Sequence, residues 1–124
     1  MEIETFFFDT YAFFEIIAGN PRYQRFATGI ALITTKLNLM ELYYGLLLKQ
    51  GEEVAEKYFN MFVAFAVDFD DAIIKEAMKF RVFHKEKGLS YADCIGYAIA
   101  QRRGVKFLTG DMQFEHLGGV EFVK

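Results

Sequence analysis

The chain of 124 residues has no tryptophan, one cysteine and one proline. A lone cysteine, Cys94, excludes an internal disulfide and any zinc–cysteine cluster. It suits a reducing compartment. The lone proline, in Gly19-Asn20-Pro21, marks a turn near the start, and no low-complexity tract, repeat or linker divides the chain. Positive charge is also short: 14 Lys and Arg stand against 17 Asp and Glu, for a formal net charge of −3. No global basic field therefore draws in nucleic acid, and any RNA or DNA contact needs local basic patches or metal ions that invert an acidic site. Uncharged apolar runs never approach the roughly 20 residues of a membrane span. Glu2 and Glu4 ahead of a short Phe run have the wrong charge order for a signal peptide. These absences predict a soluble, cytoplasmic protein with no membrane association and a single domain over residues 1–124.

Apolar and aromatic side chains are what the chain has in quantity: 53% and 18%, with 15 Phe. That is rich for a domain with so much surface relative to volume, so some apolar surface is left for a partner. The apolar stripe of Val54, Tyr58, Met61, Phe62 and Phe65, with Phe59 beside it, is expected to be mostly core, the excess docking a partner helix or a second copy.

Punctuation by Gly, Asp and Ser divides the chain into alternating strands and helices. Residues 3–8, 29–34, 105–109 and 120–123 read as strands, with a short one at Ala66-Val67. Residues 11–17, 37–48, 52–65, 70–87 and 90–104 read as helices, with one further turn over 22–26. Such alternation predicts an α/β fold, a three-layer α/β/α sandwich around a central, mainly parallel sheet. In such sheets ligands bind beyond the carboxyl ends of the strands. Asp9 follows the first strand there, and Asp111 follows the strand over 105–109.

Four acidic residues stand out, each with an ordinary reading beside the chemical one. Asp9 is an N-cap or a metal ligand. Glu41 lies in a helix where only Asn38, Glu41 and Gly45 are not large and apolar, on one stripe roughly 60° wide. That stripe faces either solvent or a cleft, and the apolar remainder predicts a mostly buried helix. Asp93 in Ser90-Tyr91-Ala92-Asp93 fits a capping box. Asp111 in Thr109-Gly110-Asp111 fits a turn. If the four converge, repulsion reaches about 4 kcal/mol per pair at 4 Å and an effective dielectric near 20. Such a cluster needs a cation, and an all-oxygen donor set suits Mg²⁺ or Mn²⁺.

The set resembles the PIN-domain nucleases and, within them, the VapC-type toxins of toxin–antitoxin pairs. The stretches that carry the resemblance are Phe7-Phe8-Asp9-Thr10, Leu39-Met40-Glu41-Leu42, Leu89-Ser90-Tyr91-Ala92-Asp93 and Phe107-Leu108-Thr109-Gly110-Asp111-Met112-Gln113-Phe114. They occur in order over essentially the full chain. The resemblance implies a divalent-metal-dependent endoribonuclease cleaving single-stranded RNA or exposed loops, with Asp9, Glu41, Asp93 and Asp111 as metal ligands and Thr10 and Thr109 in support. It also implies a homodimer and an antitoxin partner. The alternative is a non-catalytic or RNA-processing PIN domain acting as an interaction module. A phosphatase using Asp9 as nucleophile fits poorly, because Tyr11 stands where a second Asp is wanted. His84 and His116 read as surface or structural residues and Cys94 as core. Arg22, Arg25, Lys36, Arg102 and Arg103 are candidates for substrate capture, against a reading as solvated surface charge.

Overall fold

Phenylalanines at successive positions set the first strand between two layers of helix. In the computed structural model, which describes residues 2–124, β1 spans Thr5–Phe8. Side chains alternate across a strand, so Phe6 and Phe8 join one apolar cluster and Phe7 the other. The chain continues through α1 (Thr10–Ile17), a 3₁₀ segment (Pro21–Phe26) and β2 (Ala31–Ile33). Then come α2 (Lys36–Gln50), α3 (Glu52–Phe62), α4 (Asp71–Phe83), α5 (Tyr91–Arg103), β3 (Lys106–Thr109) and β4 (Val120–Phe122).

The strands form one sheet in the order β2-β1-β3-β4, every pair parallel. Parallel neighbours require crossovers, and the helices that supply them cover both faces. Phe7 and Phe107 pack with α4 and α5 on one side; Phe6, Phe8 and Leu108 pack with α1, α2 and Ala55 of α3 on the other. This is the expected α/β/α sandwich. After β1 the chain moves to one side for β2, then returns to the other for β3. The carboxyl ends of β1 and β3 thus flank the switch point where such sheets open a crevice.

Three expectations need correction. Ala66-Val67 forms no strand; Ala66 makes a single parallel bridge to Thr34. The helix expected over 70–87 leaves α form after Phe83, and a 3₁₀ turn (Lys85–Lys87) leads to Gly88 in the left-handed region at φ 66°. The third is α2. Leu39, Leu42 and Leu46 are buried, but Met40, Tyr44 and Leu48 are 60%, 65% and 70% exposed. Its narrow polar stripe turns inward instead: Asn38 is fully buried, and a Cβ added at Gly45 meets Phe14 Cζ at 2.4 Å. The close approach of α1 to α2 at Gly45 orients the helix, leaving an apolar strip outside. The stripe expected to be mostly core is not: Val54, Tyr58 and Phe62 of α3 are half-buried, and Met61 and, beyond the helix, Phe65 are exposed. No helix among the described residues is long and apolar enough to cross a membrane.

Candidate active site

Asp9 sits where β1 hands over to α1, with extended backbone. It occupies the N-cap position of α1, but its side chain makes no capping bond. One carboxylate oxygen, Oδ2, accepts from the Thr109 hydroxyl at 2.8 Å. The other, Oδ1, is buried with no hydrogen-bond partner. Burial pushes the Asp9 carboxyl up from 3.8 to about 8; the charge of Asp93 adds to this, the hydrogen bonds of Thr109 and the Thr10 backbone oppose it, and Glu41 adds a smaller push.

Glu41 faces Asp9 from α2. Its Oε1 accepts from the Thr10 hydroxyl at 2.7 Å, so the stripe faces α1 and not open solvent. Asp93 fulfils its ordinary reading in full: its Oδ2 accepts from the Ser90 amide at 2.9 Å, and Ser90 Oγ accepts from the Asp93 amide at 3.0 Å. This box engages one carboxylate oxygen and leaves the charge directed at Asp9. The Asp93 carboxyl is raised by burial and by the charges of Glu41 and Asp111, against the lowering effect of Ser90. Asp111 also caps, accepting from the Gln113 amide at 3.0 Å, while its own amide donates to Thr109 Oγ1 at 3.0 Å. Thr109 therefore ties Asp9 to the Asp111 turn. Gly110 makes room for that turn, since a Cβ there meets the Val123 carbonyl oxygen at 2.4 Å.

Asp9 thus feels the charges of Asp93 and Glu41, and Asp93 those of Glu41 and Asp111. Among the described residues, however, no three are gathered closely enough to share one ion as they stand. Glu41 rests on Thr10 and Asp93 on its cap. The fit to a hard divalent cation lies in the chemistry: all donors are oxygens. An unpartnered buried carboxylate oxygen at Asp9 is costly in a fold and is satisfied by a cation.

The basic candidates divide. Arg25 pairs with Glu121 at 3.0 Å and lies over the Phe26 ring. Arg102 pairs with Glu76. Arg102 and Arg103 end α5, roughly 14 Å along the helix from Asp93 at 1.5 Å per residue, so they do not border the carboxylates. A cleft of about 390 Å³ at that far end, lined by Asp68, Phe69, Asp70 and both arginines, contains none of the four acids. Lys36 opens α2 beyond β2 and is exposed. Two cations nearer the acids had no signal in the sequence. Arg81 Nε donates to the Leu89 carbonyl at 3.0 Å with its guanidinium over the exposed Tyr91 ring, and Lys87 Nζ donates to the Gln113 carbonyl at 2.9 Å. Both sit on α4 or its extension and reach the site only because α4 packs against α5. Cys94 is fully buried, its thiol pushed up to about 11 mainly by burial, in keeping with a core role. His116 is exposed, and His84 packs on Phe80 and Phe83.

A family model described as PIN domain matches residues 6–120. Among solved structures, the chain is similar to the sarcin–ricin-loop-cleaving toxin VapC20 of Mycobacterium tuberculosis, with TM-score 0.78, 21% identity and coverage of 96% of this chain and 99% of that one. It is also similar to a chain of the DNA-bound VapBC of Salmonella typhimurium (TM-score 0.70, 21% identity, 98% of each chain). A toxin–antitoxin complex from Klebsiella pneumoniae gives TM-score 0.70 at 18% identity, covering 93% and 94%. At such identities the likeness shows the fold. A search of curated proteins finds no match.

Proposed function

The chain belongs to the PIN-domain family, and from that premise we propose that it is a divalent-metal-dependent endoribonuclease cutting single-stranded RNA or exposed RNA loops, as the toxin of a toxin–antitoxin pair. The observation that carries this reading is Asp9 Oδ1, a buried carboxylate oxygen without a partner beside the charges of Asp93 and Glu41. The similar VapC20 structure is described as a toxin that cleaves the sarcin–ricin loop, and the Klebsiella structure as a toxin–antitoxin complex. A protein antitoxin and a second copy of this chain are the proposed partners, the 124 residues act as one domain, and the cytoplasm is the proposed compartment.

Asp9, Glu41 and Asp93 would hold Mg²⁺ or Mn²⁺, with Asp111 holding a second ion or orienting water. A divalent ion held there would supply Lewis acidity for activating a water and neutralising phosphate charge. The chain's own contribution is orientation. Thr109 holds Asp9 Oδ2 and leaves Oδ1 free, Thr10 holds Glu41 Oε1, and Ser90 holds Asp93 Oδ2. Lys36, Arg81 and Lys87 would meet the RNA backbone in this reading, and the exposed Tyr91 ring would offer an unstacked base a face.

Cleavage of a short single-stranded RNA with Mn²⁺ tests the proposal, with EDTA and Asp9→Asn as controls. Cutting should be lost in both, by at least about a hundredfold for Asp9→Asn. Cutting that persists in either control defeats the reading.

A further inference from the structure

We propose that Asn38 is a positioning residue that, through Thr10, fixes the direction in which the Glu41 carboxylate is held; this rests on the metal-site reading above. Asn38 stands in the first turn of α2 and is fully buried. Its local role is clear: Thr35 Oγ1 accepts from the Asn38 amide at 3.2 Å and donates to Asn38 Oδ1 at 2.7 Å, closing the helix cap. That cap needs nothing from Nδ2. Yet Nδ2 reaches 28 residues back in sequence to donate to Thr10 Oγ1 at 3.2 Å.

The direction of each bond follows from the donor inventory. A threonine hydroxyl has one proton and two acceptor positions. Thr10 Oγ1 accepts from Asn38, so its single proton is free for Glu41 Oε1 at 2.7 Å, in preference to the Asn38 carbonyl at 3.4 Å. The Glu41 carboxylate accepts the Thr10 proton, so Thr10 can only accept from Asn38, and the amide lies with its nitrogen toward Thr10 and its oxygen toward the Thr35 hydroxyl. With the amide reversed, Thr10 would spend its proton on Asn38 and Glu41 would lose its donor. The relay Thr35–Asn38–Thr10–Glu41 thus runs one way and ends on a proposed ligand. It also ties the start of α2 to the residue after Asp9. Groups that orient metal ligands in this way typically change metal affinity by 10–100-fold when removed.

The experiment measures Mn²⁺ affinity of the full chain from the electron paramagnetic resonance signal of free Mn²⁺, with melting temperature in EDTA alongside. It compares wild type, Asn38→Leu, Thr10→Val, the double variant and Asp9→Asn. Each relay variant should bind Mn²⁺ about tenfold more weakly, and the double variant no more weakly than the weaker single one, because both cut the same chain. A lowered melting temperature with unchanged Mn²⁺ affinity overturns the inference, as do losses that multiply in the double variant. Asn38→Ala, which cannot overpack the site, gives the same readout if the leucine variant does not fold. Binding lost in Asp9→Asn but intact in the Asn38 variants sinks this inference alone. Equally weak binding by wild type and Asp9→Asn sinks the metal site and this inference with it.

Discussion

At the scale of single residues, the carboxyl of Asp9 is where electrostatics opposes the fold most directly. Its pKa is raised from 3.8 to about 8, burial first and Asp93 second. In the unfolded chain the same group loses its proton near 3.8, so between that pH and about 8 unfolding releases a proton. Stability of the metal-free protein contributed by neutral Asp9 is then complete below the unfolded value and is lost as pH rises to about 8. Melting in EDTA should show wild type falling relative to Asp9→Asn between pH 5 and 8, because the amide is neutral throughout. A gap between the two proteins that stays constant over that range would refute the assignment of a raised carboxyl. Adding Mn²⁺ at pH 8 should raise the melting temperature of wild type and leave Asp9→Asn unmoved, since ligand binding to the folded state alone stabilises it.

At the scale of elements, α5 carries two duties at one terminus. The Ser90–Asp93 capping box closes its first turn and also sets the orientation of an acidic side chain facing Asp9. Ser90→Ala should cost about 1 kcal/mol of stability and leave kcat unchanged, since the Asp93 carboxylate is held by the Ser90 backbone amide, which alanine keeps; a loss of kcat in a variant that still folds would give the Ser90 hydroxyl a part in orienting Asp93. This cap was legible in the sequence because a capping box is local. So were the strands and Asp9, Asp93 and Asp111, which follow strand ends or open a helix, while Glu41 stood out on the narrow polar stripe of α2. The facing of α2 was not. Apolar residues surround nearly its whole circumference, so hydrophobicity could not choose a face, and the choice falls to Gly45 against Phe14 and Asn38 against Thr10. Arg81 and Lys87 were hidden for a similar reason: their place beside the acids depends on how α4 lies on α5, and neither helix encodes that alone.

At the scale of the whole molecule, the proposed function asks an acidic protein to bind a polyanion with few positive charges. Net charge is −3, so long-range attraction is absent and capture depends on the cations close to the carboxylates. Arg25 and Arg102 are committed to Glu121 and Glu76, and Arg102 and Arg103 stand at the far end of α5. The proposed backbone contacts are Lys36, Arg81 and Lys87. Single-stranded nucleic acid releases about 0.7 counterion per phosphate neutralised, so three contacts give a slope of about −2 for log(kcat/KM) against log salt, measured at saturating Mn²⁺. Arg81→Ala or Lys87→Ala should each reduce the magnitude of that slope by about 0.7 and act on KM more than kcat, while Arg103→Ala leaves it unchanged. A slope steeper than about −4, or one that responds to Arg103, would put the RNA path along the far end of α5 instead of over the crevice between β1 and β3.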